Sequence, residues 1–338
     1  MTTLETRQFG NSGIDITSVG AGTWAIGGLH WKYNWGPQDD ACSVRALRHA
    51  VESGINWVDT AAAYGLGHAE EIVGRAISAF PEADRPLVFT KCGLRWSEAD
   101  RWGDPHNFLR PDSIRMECEA SLRRLGAERI DLYQFHWPDP KVPVEDSWAV
   151  MCDLIDEGKV RLGGVSNFDI PLLERCEAMR HVASLQPPFS LIDRRAGAGL
   201  AGWCADHGTA VICYSPMQAG LLSDTFSLER VALMDERDWR RWHYDFTHFS
   251  PPALHRNLAL RDRLRPVAER HATTVASVAI AWALSWRGVT GAIVGVRSPD
   301  QVAGWLGAGS VQLKEDDFDE IASAIDELGA GDGPTRPS

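Results

Sequence analysis

Short apolar runs recur along the chain, each followed by a polar turn and a stretch with helical spacing. The runs cover residues 19–24, 56–60, 87–91, 130–136, 160–166, 182–186, 210–215 and 292–296. They are continuously apolar and do not alternate, which is the pattern of parallel strands covered on both faces. The helix-period stretches are 39–52, 69–80, 111–125, 144–157, 170–180, 195–207, 298–306 and 314–328. Pro111 marks one helix start, and Gly54 and Gly126 mark two stops. Strands alternating with helices at this count predict an α/β fold, a (β/α)8 TIM barrel. A doubly wound sheet is the rival, and it requires a GxGxxG turn after its first strand. The text after Val19 is GAGTWAIGGLH, which lacks that spacing. Residues 1–17 read as an N-terminal hairpin turning at Asn11-Ser12-Gly13. Two stretches break the rhythm. Residues 217–255, rich in Arg, Trp, His and Phe, form an insertion between the seventh and eighth runs, on the face where an active site belongs. Residues 329–338 read as a flexible tail. With no linker or low-complexity stretch, residues 1–338 are expected to form one domain.

Composition narrows the class. Hydrophobic residues make up 44% and charged residues 24%, so the chain of 338 residues is globular. A formal charge of −12 argues against nucleic acid or an anionic membrane as a partner. No apolar run has the length of a membrane span. The opening MTTLETRQFG lacks the parts of a signal peptide. The 7 cysteines are scattered without a CxxC pair. They read as reduced, buried thiols, with no metal site, in a cytoplasmic protein. Cys92 reads as packing, with some scope for redox sensitivity.

In a barrel the C-terminal ends of the strands open on one face, where chemistry collects. Here those ends carry Gly22-Thr23-Trp24, Asp59-Thr60, Thr90-Lys91, Gln134 to Trp137, Ser166-Asn167, Gln186, Tyr214-Ser215 and Gly295 to Arg297. Taken singly, Asp59 and Lys91 are an ordinary buried ion pair, Tyr64 a core ring and His136 a satisfied core histidine. Together, from three successive strand ends, Asp59, Tyr64, Lys91 and His136 converge into a chemical set. A buried lysine is expected to lower the pKa of a neighbouring phenol, and a carboxylate keeps that lysine charged. The phenol then donates a proton to a developing alkoxide while the histidine aligns the carbonyl. No nucleophile is activated, so the set suits proton transfer coupled to hydride transfer from a cofactor.

The motifs GTWAIGG, GINWVDTAAAYGLGHAEEIVG, FTKCG, DLYQFHWPD, GKVRLGGVSNF, LQPPFS, YSPMQAGLL and GVRSPDQV occur in this order. In this the chain resembles the aldo-keto reductases over residues 4–328, and within them a bacterial branch with general-stress and sugar-dehydrogenase-like members. The resemblance implies a barrel that binds NADPH, or NADP(H) in either direction, without a Rossmann domain. Tyr64 matches the catalytic acid, and Asp59, Lys91 and His136 its partners. Ser166, Asn167 and Gln186 match the residues holding the nicotinamide carboxamide, and Tyr214 the ring stacked on it. Gly22, Thr23, Trp24 and Asp59 fall beside the cofactor. Ser215, Pro216, Met217, Gly220 and Leu221 match the loop along the pyrophosphate. Gly295, Val296, Arg297, Ser298 and Gln301 match the loop gripping the adenosine phosphate, where a guanidinium suits a 2′-phosphate. One departure is Gln301-Val-Ala-Gly-Trp305, where many members carry Glu-Asn contacting adenine.

Trp24, Trp31, Tyr64, His136 and Trp137 are expected to line the substrate cleft, although packing under a loop suits the tryptophans nearly as well. The cluster Arg240-Arg241-Trp242-His243-Tyr244 reads as a lid or oligomer contact; His243 and His248 are poorly spaced for a metal. The expected function is NADP(H)-dependent oxidoreduction of aldehydes, ketones or the matching alcohols or aldoses. The alternatives are a catalytically weak cofactor-binding sensor or regulatory subunit, and a sugar-binding module without turnover.

Overall fold

The computed structural model describes residues 4–97, 99–242 and 248–337. Its strands are β1 (Thr6–Gln8), β2 (Asp15–Thr17), β3 (Val19–Gly22), β4 (Trp57–Asp59), β5 (Leu87–Cys92), β6 (Leu94–Arg95) and β7 (His106–Asn107). They continue with β8 (Ile130–Phe135), β9 (Val160–Ser166), β10 (Ser184–Gln186), β11 (Ala210–Tyr214) and β12 (Val289–Gly295). β3, β4, β5, β8, β9, β10, β11 and β12 close into a parallel barrel in that order, with β12 pairing back onto β3 at Gly295 and Gly22. β1 and β2 form the expected hairpin, and β6 with β7 a second one that was not foreseen.

The helices are α1 (Asp40–Glu52), α2 (His68–Ile77), α3 (Pro111–Leu125), α4 (Val144–Asp156), α5 (Ile170–Glu177) and α6 (Leu200–His207). After these come α7 (Leu228–Ala232), α8 (Ala253–Arg263), α9 (Arg265–Arg270), α10 (Val275–Leu284), α11 (Pro299–Ala303) and α12 (Glu315–Leu328). None among the described residues is long and apolar enough to cross a membrane. Local chemistry sets their ends. Asp39 caps α1 by accepting from the Cys42 N–H at 2.7 Å, and Gly126 ends α3 in the left-handed region.

Two cores follow from two-sided burial. The larger lies between strands and helices. The smaller fills the barrel, where Phe9, Ile14 and Ile16 of the hairpin region pack on Trp57 and Phe89. The Trp57 Nε1 donates to the Thr17 carbonyl at 2.8 Å. A Cβ on Gly20 would run into the Trp57 ring, so glycine is needed there. The hairpin plugs the N-terminal end, and the barrel opens at the C-terminal end, where the polar strand ends gather.

Three expectations need correction. The helix expected over 195–207 is a 3₁₀ turn, Arg195–Gly197, followed by α6, with Gly199 at φ 109° between them. Between β11 and β12 the described residues build the α-helices α7, α8, α9 and α10 as well as loops. All of α10 is buried, so it has no polar face from which helical periodicity could be read. The expected flexible tail is docked. Ala330 is buried, and Arg194 donates to the carbonyls of Leu191, Ala330, Gly333 and Pro334. A buried arginine supplies the donors that this irregular backbone needs.

Candidate active site

Asp59 ends β4 and is held at both its carboxylate and its backbone carbonyl. Lys91 of β5 donates to Oδ1 at 2.6 Å, and Gln186 of β10 donates to Oδ2 at 2.9 Å. The hydroxyl and N–H of Thr23 both donate to the Asp59 carbonyl at 3.0 Å. Lys91 also donates to the Thr60 carbonyl at 2.9 Å and to the Tyr64 hydroxyl oxygen at 3.3 Å. Tyr64 reaches this point because residues 61–64 turn back at the end of β4, with the Tyr64 N–H on the Ala61 carbonyl. The His136 ring, one residue past β8, meets the Tyr64 ring edge-on at 5.6 Å. All four groups of the sequence-derived set are together.

Burial dominates the electrostatics. Asp59 and Lys91 are each 1% exposed. Desolvation pushes the carboxyl up and the ammonium down, each held back by the other's charge. For Tyr64 the expected direction is reversed. Burial, and then the Asp59 carboxylate, hold the phenol well above its ordinary value of 10.0. The physical reason is that desolvation of the phenolate, with the Asp59 charge added to it, outweighs the Lys91 ammonium 3.3 Å away. Burial, and then the Lys91 charge, hold His136 well below 6.5, so its imidazole is neutral. The site therefore presents a protonated phenol beside a neutral imidazole.

A second group surrounds Asn167, which sits at φ 62°. Its Nδ2 donates to the His136 carbonyl at 2.9 Å and the Ser166 Oγ at 3.0 Å, and its Oδ1 accepts from the Tyr214 hydroxyl at 2.9 Å. Ser166 Oγ donates to the Gln186 carbonyl at 2.7 Å. Thus Ser166, Asn167, Gln186 and Tyr214 form one network. Ser215 lies at φ 57° and Gly220 at φ 95°, so the loop through Pro216 and Met217 is tightly turned. At the end of β12 the Arg297 N–H donates to the Gln301 Oε1 at 2.9 Å, and Ser298 caps α11. The Gln301 side chain thus turns back onto Arg297.

Some of the expected ligand residues lie in the buried framework. Thr23, Leu221 and Val296 are fully buried, and the Val296 N–H is spent on the Gly22 carbonyl. Gly22 is buried in the ladder against Gly295. Trp31 is 5% exposed and packs on Tyr33. Trp24 and Trp137 keep open surface. Cys92 is buried, and burial holds its thiol well above its ordinary range, as packing requires. His243 and Tyr244 lie outside the described residues.

Sequence reasoning missed the roof of the site. Trp239, from the insertion, stacks on Trp24 at 4.7 Å, and Trp35 meets both edge-on at 5.4 and 5.5 Å. Trp24 lies nearly parallel to the Tyr64 ring at 6.2 Å. Arg240 sits 4.6 Å over Trp35 and donates twice to Asp238, at 2.6 and 2.9 Å. Tyr33 and Lys32 both reach Asp104, which ties the loop after β3 to the loop between β6 and β7. Gln134, a buried strand-end residue, has no role in the sequence reading; its Oε1 accepts from Gln186 at 3.4 Å.

Residues 18–326 match the model of the Aldo/keto reductase family. Aldo-keto reductase YhdN of Bacillus subtilis is 34% identical over 309 residues, covering 89% of each chain. An NADH-specific methylglyoxal reductase of Escherichia coli is 31% identical over 330 residues, covering 94% of this chain and 98% of that one. The solved structure of the glycerol dehydrogenase AKR11B4 from Gluconobacter oxydans covers 97% of both chains at 32% identity with a TM-score of 0.85. The chain belongs to the aldo/keto reductase family, oxidoreductases that act on carbonyls or alcohols with nicotinamide cofactors.

Proposed function

We propose that the chain is an NADP(H)-dependent reductase of aldehydes and ketones, oxidising the matching alcohols or aldoses in reverse, with Tyr64 as general acid and base. The observation that carries this is the Lys91 ammonium between Asp59 and Tyr64, 2.6 Å from the one and 3.3 Å from the other, at the barrel's open end. A bound nicotinamide supplies or accepts the hydride. The chain handles the proton. Tyr64, kept protonated by burial, gives its proton to the carbonyl oxygen as charge builds there. Lys91 donates to the phenol oxygen, so the phenolate left behind gains a cation at hydrogen-bond distance. Asp59 keeps Lys91 charged and in place, and Gln186 keeps Asp59 in place. His136, neutral, orients the carbonyl oxygen beside Tyr64. Trp24, Trp35 and Trp239 keep water from the proton path.

The donor set fits such a cofactor at both ends. Gln186, with its Nε2 on Asp59, has its Oε1 left for a carboxamide, beside Ser166 and the Tyr214 ring. Arg230 and Arg297 gather cationic charge at the other end, and a Cβ on Gly295 would meet open space. Arg297 supports NADP(H). The name of the Escherichia coli relative favours NADH as the second reading. The test follows NADPH and NADH absorbance with a panel of aldehydes and aldoses, comparing wild type with Tyr64→Phe. Turnover is expected to fall by about 10²–10⁴-fold in the variant, with cofactor affinity nearly unchanged. Equal turnover in both proteins would remove Tyr64 from the chemistry. NADPH binding with no turnover in either protein would move the reading to a sensor or regulatory subunit.

A further inference from the structure

The guanidinium of Arg297 is fastened entirely by neutral groups. Its Nε donates to the Gln38 Oε1 at 2.9 Å and its NH2 to the Pro37 carbonyl at 2.7 Å. Gln38 completes the clamp by donating from Nε2 to the Arg297 carbonyl and to the Ser43 Oγ, both at 2.9 Å. Ser43 lies in α1 and in turn donates to the Asp39 carbonyl at 3.0 Å. Among the described residues no carboxylate lies within salt-bridge distance of Arg297.

The surroundings sharpen the point. Arg297 borders a cleft of about 440 Å³ with Trp35, Ser227, Arg230 and Arg240. The acids at this cleft are engaged elsewhere. Asp238 takes both bonds from Arg240, and Asp235 is held by Arg237. Glu229, at the exposed start of α7, accepts from its own backbone N–H and from Ser227. An arginine anchored by a carboxylate is placed but neutralised, whereas one anchored by an amide is placed with its charge intact.

We propose that Gln38 is a positioning residue for cofactor choice, aiming Arg297 with a neutral acceptor so that its charge stays free for the 2′-phosphate of NADP(H). This rests on the reading of Arg297 given above. It goes further by assigning the preference to a side chain on the opposite side of the barrel seam, in the loop before α1. Replacing the amide by a carboxylate would keep the reach to Arg297 but cancel its charge.

The experiment measures dissociation constants for NADPH and NADH by quenching of tryptophan fluorescence, with adenosine 2′,5′-bisphosphate and 5′-AMP as competing probes. Wild type, Gln38→Glu, Gln38→Met and Arg297→Ala are compared. Gln38→Glu is expected to weaken NADPH and the bisphosphate by about ten- to a hundredfold, with NADH and 5′-AMP changed by less than about twofold. Gln38→Met loses every one of these side-chain bonds and adds no charge, and is expected to weaken NADPH by about three- to tenfold with NADH unchanged. A loss shared equally by NADPH and NADH in both Gln38 variants, or no loss, would overturn the assignment of Gln38 while a selective Arg297→Ala loss left the reading of Arg297 standing. An unselective Arg297→Ala loss would overturn both. If Gln38→Glu fails to fold, the NADPH-to-NADH split of Gln38→Met decides.

Discussion

The floor and the roof of this site are built by different physics. The floor consists of Asp59, Lys91, Gln186 and Gln134, which lie on barrel strands and are all buried. Their positions follow from a hydrogen-bonded ladder: Asp59 is in register with Phe89, and Lys91 with Gln134. The roof consists of Trp24, Trp35 and Trp239 on loops, held by ring contacts between segments about two hundred residues apart in sequence. The floor tolerates almost no displacement, because a buried charge off its partner is costly. Ring contacts are individually weak and broad in geometry. The floor should therefore govern turnover and folding, and the roof substrate affinity and water access.

Breaking the floor gives the largest effect. Lys91→Met removes the cation, leaves the Asp59 carboxylate buried and takes the support from Tyr64. Urea unfolding should show a loss of about 3–5 kcal/mol, and turnover should fall with it. Adding Asp59→Asn should recover much of the stability and none of the turnover, because the stranded charge is gone while the phenol still lacks its cation. A double variant as unstable as Lys91→Met would mean that Asp59 carries little of the cost. Breaking the roof should act differently. Trp239→Ala is expected to raise KM about tenfold while kcat stays within about threefold of wild type, since no proton-handling group is touched. A kcat loss like that of Tyr64→Phe would place the roof within the catalytic machinery and erase the contrast.

The same contrast explains what was legible in the sequence. Strand ends could be read because continuous apolar runs have recognisable limits and the barrel brings every end to one face. Asp59, Lys91, His136, Ser166, Gln186 and Tyr214 were therefore all singled out before any coordinates. Tyr64 lies on the turn just beyond Asp59 and could be read from that proximity. Trp239 and Trp35 had no such signal: nothing periodic ties residue 239 to residue 24. Gln38 was invisible for a related reason, since an amide before a helix cap reads as part of the turn. Burial misled in the opposite sense. Lys91 beside Tyr64 suggests a lowered phenol pKa, but desolvation prevails and the Asp59 carboxylate adds to it. Thr23 stands at a strand end and Trp31 in the loop that follows it, and both are buried.

The pH profile offers a smaller effect that joins the two regions. His136 is held well below 6.5 and Tyr64 well above 10.0 by burial first of all. Reduction needs the neutral imidazole and the protonated phenol. Its kcat should therefore stay level as pH falls through 6.5 and should not drop on the alkaline side until above 10.0. Oxidation needs the phenolate and should rise with pH across the same range. Both follow from a dry floor, and the roof is what keeps it dry. Trp239→Ala, by admitting water, should weaken the desolvation of His136 and bring an acid limb back toward 6.5 in the reduction profile. An acid limb already at that value in wild type would show that the floor is wetted from another side. A limb that Trp239→Ala fails to move would mean that His136 is shielded by Tyr64 and the strand ends alone, with the tryptophans acting only on the substrate.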